Sequence, residues 1–362
     1  MISVVIPTYQ EAESIQPALR RAANALGRFG EEFELIVVDD ASGDGTAELA
    51  ESLQNELPVR VLRRAGKRGL ATAVVEGWAM ARGDVLGVMD GDLQHPPEVL
   101  AALAEAMRRT QADLVVASRY CSGGGARDWP WRRRLVSAAA THLAATVLPL
   151  RLSRTTDPMS GMFLVRARAL DGLKFSPLGY KILLEVVAKG KIERSAEVPY
   201  QFAERERGSS KLGPPQIVEY LVHLARLALS TGQARAWARY ALVGATGAAV
   251  NLAALYALAV RFRWPLALAA GAAIEAALLT NFFGNHWLTF SRRASGGLGP
   301  QLARYEMVCA PGAVLNLVLT IGSFRAGLPL LVAAAIGIVA DGLVNLTLNI
   351  PAIWRIWGSP LP

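Results

Sequence analysis

Cysteine is scarce in this chain: Cys121 and Cys309 are the only two in 362 residues. They are too few and too far apart for a disulfide framework. Lysine ends at Lys211, and beyond Tyr240 the only acids are Glu275, Glu306 and Asp341. A carboxyl-terminal third so poor in ionised side chains does not read as the surface of a soluble domain. The amino terminus lacks the charged region and apolar core of a secretory leader. Ile2-Ser3-Val4-Val5-Ile6 reads as a strand instead, so the amino-terminal domain is expected to stay in the cytoplasm. What the chain does have is 52% hydrophobic residues and a net charge of +8, with a pI near 9.8. Its length suits two domains, and its composition is too apolar for two soluble ones. The positive charge suits nucleic acid or an anionic membrane surface. No nucleic-acid-binding motif is present, and the basic residues gather beside apolar runs, so nucleic acid is set aside.

Up to Lys211 the pattern alternates strands and amphipathic helices. Strands are predicted at Ser3–Pro7, Glu34–Asp39, Val59–Leu62, Val85–Met89 and Asp113–Ala117, and helices at stretches such as Glu13–Leu26 and Pro97–Arg109. Repeated βα units imply an α/β, Rossmann-like domain with a mainly parallel sheet covered on both faces. Four apolar stretches follow, Tyr240–Val260, Pro265–Phe290, Tyr305–Phe324 and Leu328–Trp354. Each reaches the ~20 residues needed to cross a bilayer. Arg226, Arg235, Arg239, Arg292, Arg293, Arg304 and Arg355 flank them on one side, against Arg261, Arg263 and Arg325 on the other. That bias places both ends of the helical region in the cytoplasm. The expected division is a catalytic domain at 1–212, an amphipathic linker at 213–237 and a four-helix transmembrane domain at 238–362. Trp129–Leu150 and Pro215–Trp237 mix aromatics, arginine and leucine as helices lying in a headgroup layer do, with ordinary surface helices as the alternative.

In open α/β sheets the ligand crevice lies at the carboxyl ends of the strands. Three polar motifs sit there: Pro7-Thr8-Tyr9-Gln10-Glu11, Val38-Asp39-Asp40 and Asp90-Gly91-Asp92-Leu93-Gln94-His95-Pro96-Pro97-Glu98. In extended chain Asp90 and Asp92 point the same way and can face one cation, with Gln94 adding a neutral oxygen. Carboxylates on one side and substrate phosphates on the other suit a hard divalent ion, Mg²⁺ or Mn²⁺. A solvated acidic turn is the plain alternative for Asp-x-Asp alone.

Taken together, these motifs resemble the nucleotide-sugar pocket of inverting family 2 glycosyltransferases with the GT-A fold, and the likeness extends to Lys67-Arg68-Gly69 and Ser118-Arg119-Tyr120. Arg133-Arg134-Leu135-Val136-Ser137, Thr156-Asp157-Pro158-Met159-Ser160-Gly161 and Arg205-Glu206-Arg207-Gly208-Ser209-Ser210-Lys211-Leu212 look like the matching motifs of dolichol-phosphate mannosyltransferases. The four spans, through Asn281–Phe290, are similar to the small membrane domain found beside polyprenyl-phosphate glycosyltransferases. Gly91, where the family more often has Ala, and Met162, where an aromatic is common, depart from the pattern.

The resemblance implies that Pro7, Tyr9, Glu11, Asp39, Asp90 and Lys211 hold the nucleotide. Asp90, Asp92 and Gln94 would hold the metal. Arg119, Arg133 and Arg205, with Ser137 as hydroxyl donor, would hold the acceptor phosphate. Transfer to a hydroxyl needs a general base, supplied in many relatives by a Glu-Asp dipeptide that Leu183-Leu184-Glu185-Val186 lacks. A lipid phosphate, with a second pKa near 6, is already anionic and needs none. The expected reaction is transfer of a hexose to a polyprenyl phosphate at the cytoplasmic membrane face. His95 favours mannose from GDP-mannose over glucose from UDP-glucose. A non-enzymatic scaffold or translocase of lipid-linked sugar is the alternative from another class.

Overall fold

The computed structural model describes residues 1–66, 69–125, 129–148, 154–176, 181–202, 214–289 and 297–346. By internal contacts the chain divides into one unit of Met1–Ala144 and Arg151–Leu227, and another of Ala145–Leu150 and Ala228–Pro362.

The first unit is built on strands β1 (Ile2–Thr8), β2 (Phe33–Asp39), β3 (Val59–Arg63), β4 (Val85–Val88), β5 (Leu114–Ser118), β6 (Phe163–Arg166) and β7 (Ser195–Pro199), in the order β3-β2-β1-β4-β6-β5-β7. β1, β4 and β5 are buried along their whole length. That explains their unbroken apolar runs: a strand covered on both faces has no side for polar residues. Helices α1 (Ala12–Phe29), α2 (Thr46–Glu51), α3 (Leu70–Met80) and α4 (Val99–Thr110) follow β1 to β4 as crossovers. α1 buries Ile15, Leu19, Ala22 and Leu26, the helical spacing that seats one face on a sheet. The expected parallel sheet is present, and β6 and β7 extend it beyond the strands predicted. β6 runs antiparallel to both β4 and β5, with Val88 opposite Phe163. The loop entering β6 is thereby delivered to the carboxyl ends of its neighbours.

Because β1 pairs with β2 on one side and β4 on the other, their crossovers diverge, and a crevice opens at that switch point. Helices α5 (Trp131–Val147), α6 (Ile182–Lys189) and α7 (Pro214–Ser230) follow in chain order. α5 leaves Trp131, Leu135 and Val136 exposed, and α7 leaves Ile217, Val218 and Leu221 exposed. The Tyr220 hydroxyl of α7 donates to the Ala140 carbonyl of α5 at 2.6 Å.

The second unit holds α8 (Gln233–Tyr256), α9 (Leu266–Gly284), α10 (Leu298–Arg325) and α11 (Leu330–Val344). Gln233–Arg261 and Leu266–Thr289, which include π-helical ends, and Leu298–Arg325 are long and apolar enough to cross a membrane. The fourth expected span is only partly described: α11 has 15 residues, and residues 347–354 lie outside the described set. Leu242, Met307, Val314, Val318 and Val339 are exposed, as on helix faces meant for lipid rather than water.

These helices carry a repeat that hydropathy alone does not reveal. Arg239-Tyr240, Val243, Ala245, Gly247-Ala248 and Asn251-Leu252 recur as Arg304-Tyr305, Val308, Ala310, Gly312-Ala313 and Asn316-Leu317. Pro265-Leu266, Ala269-Ala270 and Asn281 recur as Pro329-Leu330, Ala333-Ala334 and Asn345. The packing repeats too. Asn281 Oδ1 lies 2.2 Å from where a Cβ on Gly247 would stand, and Asp341 Oδ1 and Asn345 Nδ2 lie 2.1 and 3.4 Å from that point on Gly312. Two duplicated hairpins, α8–α9 and α10–α11, thus close through glycine and a polar side chain, the small-residue contact by which membrane helices approach closely.

Candidate active site

Three non-glycine residues with positive φ mark the crevice: Gln10 (58°), Ala41 (59°) and Leu93 (61°), just past the ends of β1, β2 and β4. Each such residue costs about 1–3 kcal/mol, and such strain clusters where a loop must present a ligand surface. Asp39 is held by the Thr8 hydroxyl at 3.0 Å, the Ser42 amide at 2.8 Å and the Ser42 hydroxyl at 2.6 Å. Asp44 reaches across to the Ala12 amide at 3.1 Å. A residue of the loop after β2 thereby caps the helix that follows β1, where α1 has no side-chain cap of its own. Pro7 is buried in β1, and Tyr9 and Glu11 are half-buried beside it.

Asp90 and Asp92 are half-buried and Gln94 is buried. Asp92 Oδ1 accepts the Gln94 amide at 3.1 Å, which tightens the turn. Asp90 lies against the loop before β6: a Cβ on Gly161 would stand 2.1 Å from Asp90 Oδ2. Glycine is required there, because any side chain would displace the carboxylate. A methyl at Gly91 would meet Thr8 Cγ2 at 3.3 Å, so the glycine that departs from the family pattern suits a tight edge. Carboxylate and amide oxygens are the donors that hard divalent ions take. Among the described residues no three His, Cys, Asp or Glu side chains converge as a closed metal cage. Two carboxylates and one amide would leave coordination positions that substrate oxygens could fill.

His95 is buried behind Asp90, its Nδ1 3.6 Å from Asp90 Oδ2, and it stacks on Tyr200 at 5.2 Å. Burial pulls the imidazole down to about 4, so it is neutral and packs as an aromatic. Phe202 meets His95 and Trp129 edge-on at 5.2 and 5.1 Å.

On this aromatic cluster Arg119 and Arg133, two of the three candidate acceptor arginines, meet. The guanidinium of Arg119 lies 5.1 Å from the Trp129 ring centroid, and that of Arg133, in the first turn of α5, lies 4.2 Å from the same centroid. Such contacts hold a cation without neutralising it. Ser137, one turn along α5 from Arg133, pairs with the Tyr120 hydroxyl at 2.8 Å. Arg119 is also gripped by Asp157, through Nε and Nη2 at 2.7 Å each and through its own amide at 3.1 Å. Asp157 is fully buried, so its charge is compensated within the protein by this bidentate pair. Sequence had given Asp157 no chemical role; the pairing shows that it orients Arg119. Arg205 and Lys211, like Lys67 and Arg68, lie outside the described residues.

Two further residues escaped the motifs. Lys181 donates to the Met159 carbonyl at 2.7 Å, and burial, then Arg119, pull its ammonium below the usual lysine range. Arg64 is buried, pairs with Asp40 at 2.8 Å and donates to Thr72 at 2.8 Å. With Asp40 also accepting the Gly69 amide at 2.8 Å, this pair anchors the chain end leading into α3. Long-range pairing of this kind has no local sequence signal.

The crevice lies at the carboxyl ends of an α/β sheet, and the same chain carries helices long and apolar enough to cross a membrane. Residues 3–173 match the model for glycosyl transferase family 2, and residues 239–354 match that for the GtrA/DPMS transmembrane domain. A dolichol-phosphate mannosyltransferase of Pyrococcus furiosus is 38% identical over 98% of this chain and 99% of its own length. An undecaprenyl-phosphate mannosyltransferase of Micrococcus luteus is 37% identical over 63% of this chain and 94% of its own. A glucosyl-3-phosphoglycerate synthase from Mycobacterium tuberculosis, solved with Mn²⁺, UDP and phosphoglyceric acid, shares the GT-A fold at 20% identity and a TM-score of 0.50, over 64% of this chain and 78% of that one. The chain belongs to the dolichol-phosphate mannosyltransferase family.

Proposed function

We propose that the protein transfers mannose from GDP-mannose to a polyprenyl phosphate, with inversion, at the cytoplasmic face of the membrane. The observation that carries this reading is the meeting of Arg119 and Arg133 over Trp129, on the Asp157–Gly161 loop side of Asp90. Cations set beside a donor crevice suit an acceptor that arrives as an anion. The helix where many relatives keep a base supports the same reading. Glu185 is fully buried, paired with Lys189 and the Ser176 amide, and 3.8 Å from His223. A carboxylate so enclosed serves packing rather than proton removal.

In this reaction an oxygen of the lipid phosphate attacks the anomeric carbon. The anomeric C–O bond breaks and its electron pair leaves with the nucleoside diphosphate. The protein's part is orientation and charge. Pro7, Tyr9, Glu11 and Asp39 would bound the nucleotide, with Lys211 near its phosphates. Arg119, Arg133, Arg205 and Ser137 would hold the acceptor. A divalent ion bound by Asp90, Asp92 and Gln94 would supply charge stabilisation of the departing diphosphate.

The test is donor screening of full-length protein in detergent with polyprenyl phosphate and Mg²⁺ or Mn²⁺. Label is expected in the lipid phase from GDP-mannose. Label from UDP-glucose alone would overturn the sugar assignment, and label from neither would favour a scaffold or translocase.

A further inference from the structure

Lys181 stands immediately before α6, and no motif used above includes it. Its Nζ is fastened at 2.7 Å to the carbonyl of Met159, in the short loop that enters β6. At one end of that loop Asp157 grips the guanidinium of Arg119. At the other, Gly161 lies against the carboxylate of Asp90. An ammonium tied to the middle of this loop therefore sits at the seam between the donor side and the acceptor side of the crevice. Asp90, Arg119, Asp157 and Arg133 all act on it electrostatically.

The charge balance says why a cation belongs at that seam. Arg119 is already matched by the buried Asp157. Transfer then brings a phosphate monoester up to a diphosphate, and two anions a few ångströms apart repel strongly even at the screening typical of a protein surface. A cation between them lowers that repulsion. Lysine suits the place, because its compact point charge can face two anions at once, whereas a guanidinium fork fixes on one.

We propose that Lys181 is a catalytic residue whose ammonium contacts the acceptor phosphate opposite the donor diphosphate. This rests on the transferase reading above. Lys181 contributes charge and neither gives nor takes a proton in the step.

The experiment compares Lys181→Met and Lys181→Arg with the wild-type full-length enzyme, measuring transfer kinetics, GDP-mannose binding and thermal unfolding. Lys181→Met is expected to lower kcat by about 10²-fold, the scale of losing one preorganised charge contact, with donor affinity and Tm unchanged. Lys181→Arg is expected to recover part of the loss. Wild-type turnover in Lys181→Met overturns the proposal. So does a loss that follows donor binding or Tm, because it would mark Lys181 as a structural tie to Met159. A wild-type enzyme inactive with every donor removes the transferase reading, and this inference with it.

Discussion

At the level of single side chains, the arginines proposed to hold the acceptor, Arg119 and Arg133, are set by two residues whose roles no motif announces. Trp129 lies under both guanidinium groups, and Asp157 fixes the plane of one of them. Trp129 had read as a headgroup aromatic, because its neighbours Pro130, Trp131 and Arg134 suit that setting; only the fold turns it inward, onto Phe202. Replacing it with leucine removes the shared deck. Trp129→Leu is expected to raise the KM for polyprenyl phosphate about tenfold, in line with a partly desolvated cation–π contact, and to leave the KM for the donor unchanged. Steady-state kinetics with each substrate varied in turn would check this. Asp157→Ala leaves a buried guanidinium without its carboxylate, which destabilises by about 3–5 kcal/mol. A lowered denaturation midpoint, together with loss of transfer, is the expected result.

Whole elements show where the sequence was readable and where it was not. β1, β2, β4 and β5 could be located because a strand buried on both faces is an uninterrupted apolar run ending in a polar motif. β6 has four residues and runs antiparallel, so neither length nor the βα rhythm signals it. Missing β6 also hid why Gly161 meets Asp90. The duplicated hairpins went unread for another reason: hydropathy averages over the glycine and asparagine positions that carry the repeat. Asp341 stands where the first hairpin has Ala277, four residues before the matched asparagines. Asp341→Ala is therefore expected to move Tm in detergent by no more than about 3 °C. Gly312→Leu should destabilise by about 1–3 kcal/mol through overpacking.

Glu34 governs the sheet's response to acid. It accepts from the Ser3 hydroxyl at 2.7 Å, the Arg82 amide at 2.7 Å and Arg60 at 3.0 Å, binding β1, β3 and the chain before β4 to β2. Burial alone would raise its pKa, but the bonds from Ser3, the Arg82 amide and Arg60 outweigh it and hold the carboxyl below its ordinary value. A carboxylate lowered on folding stabilises above its unfolded pKa of about 4.3, and that stability is lost as pH falls through the folded value. Glu34→Gln is expected to destabilise by about 2 kcal/mol at pH 7 and to flatten the loss below about pH 4. Urea titrations across that range would measure both.

For the molecule as a whole, the partition between a charged α/β unit and an apolar helical unit was plain from where lysine and the acids run out. The chemistry was legible in part. Asp90, Asp92 and the arginine motifs are the candidates that sequence supplies, whereas the pairs Arg119 with Asp157 and Lys181 with the Met159 carbonyl form only on folding. In the proposed reaction the nucleophile arrives already ionised, beside Arg119 and Arg133. The most direct measurement supplies full-length enzyme with labelled GDP-mannose and, in parallel, a polyprenyl phosphate or the same polyprenol without its phosphate. Labelled lipid is expected from the phosphate alone. Comparable transfer to the free alcohol would contradict the proposed mechanism.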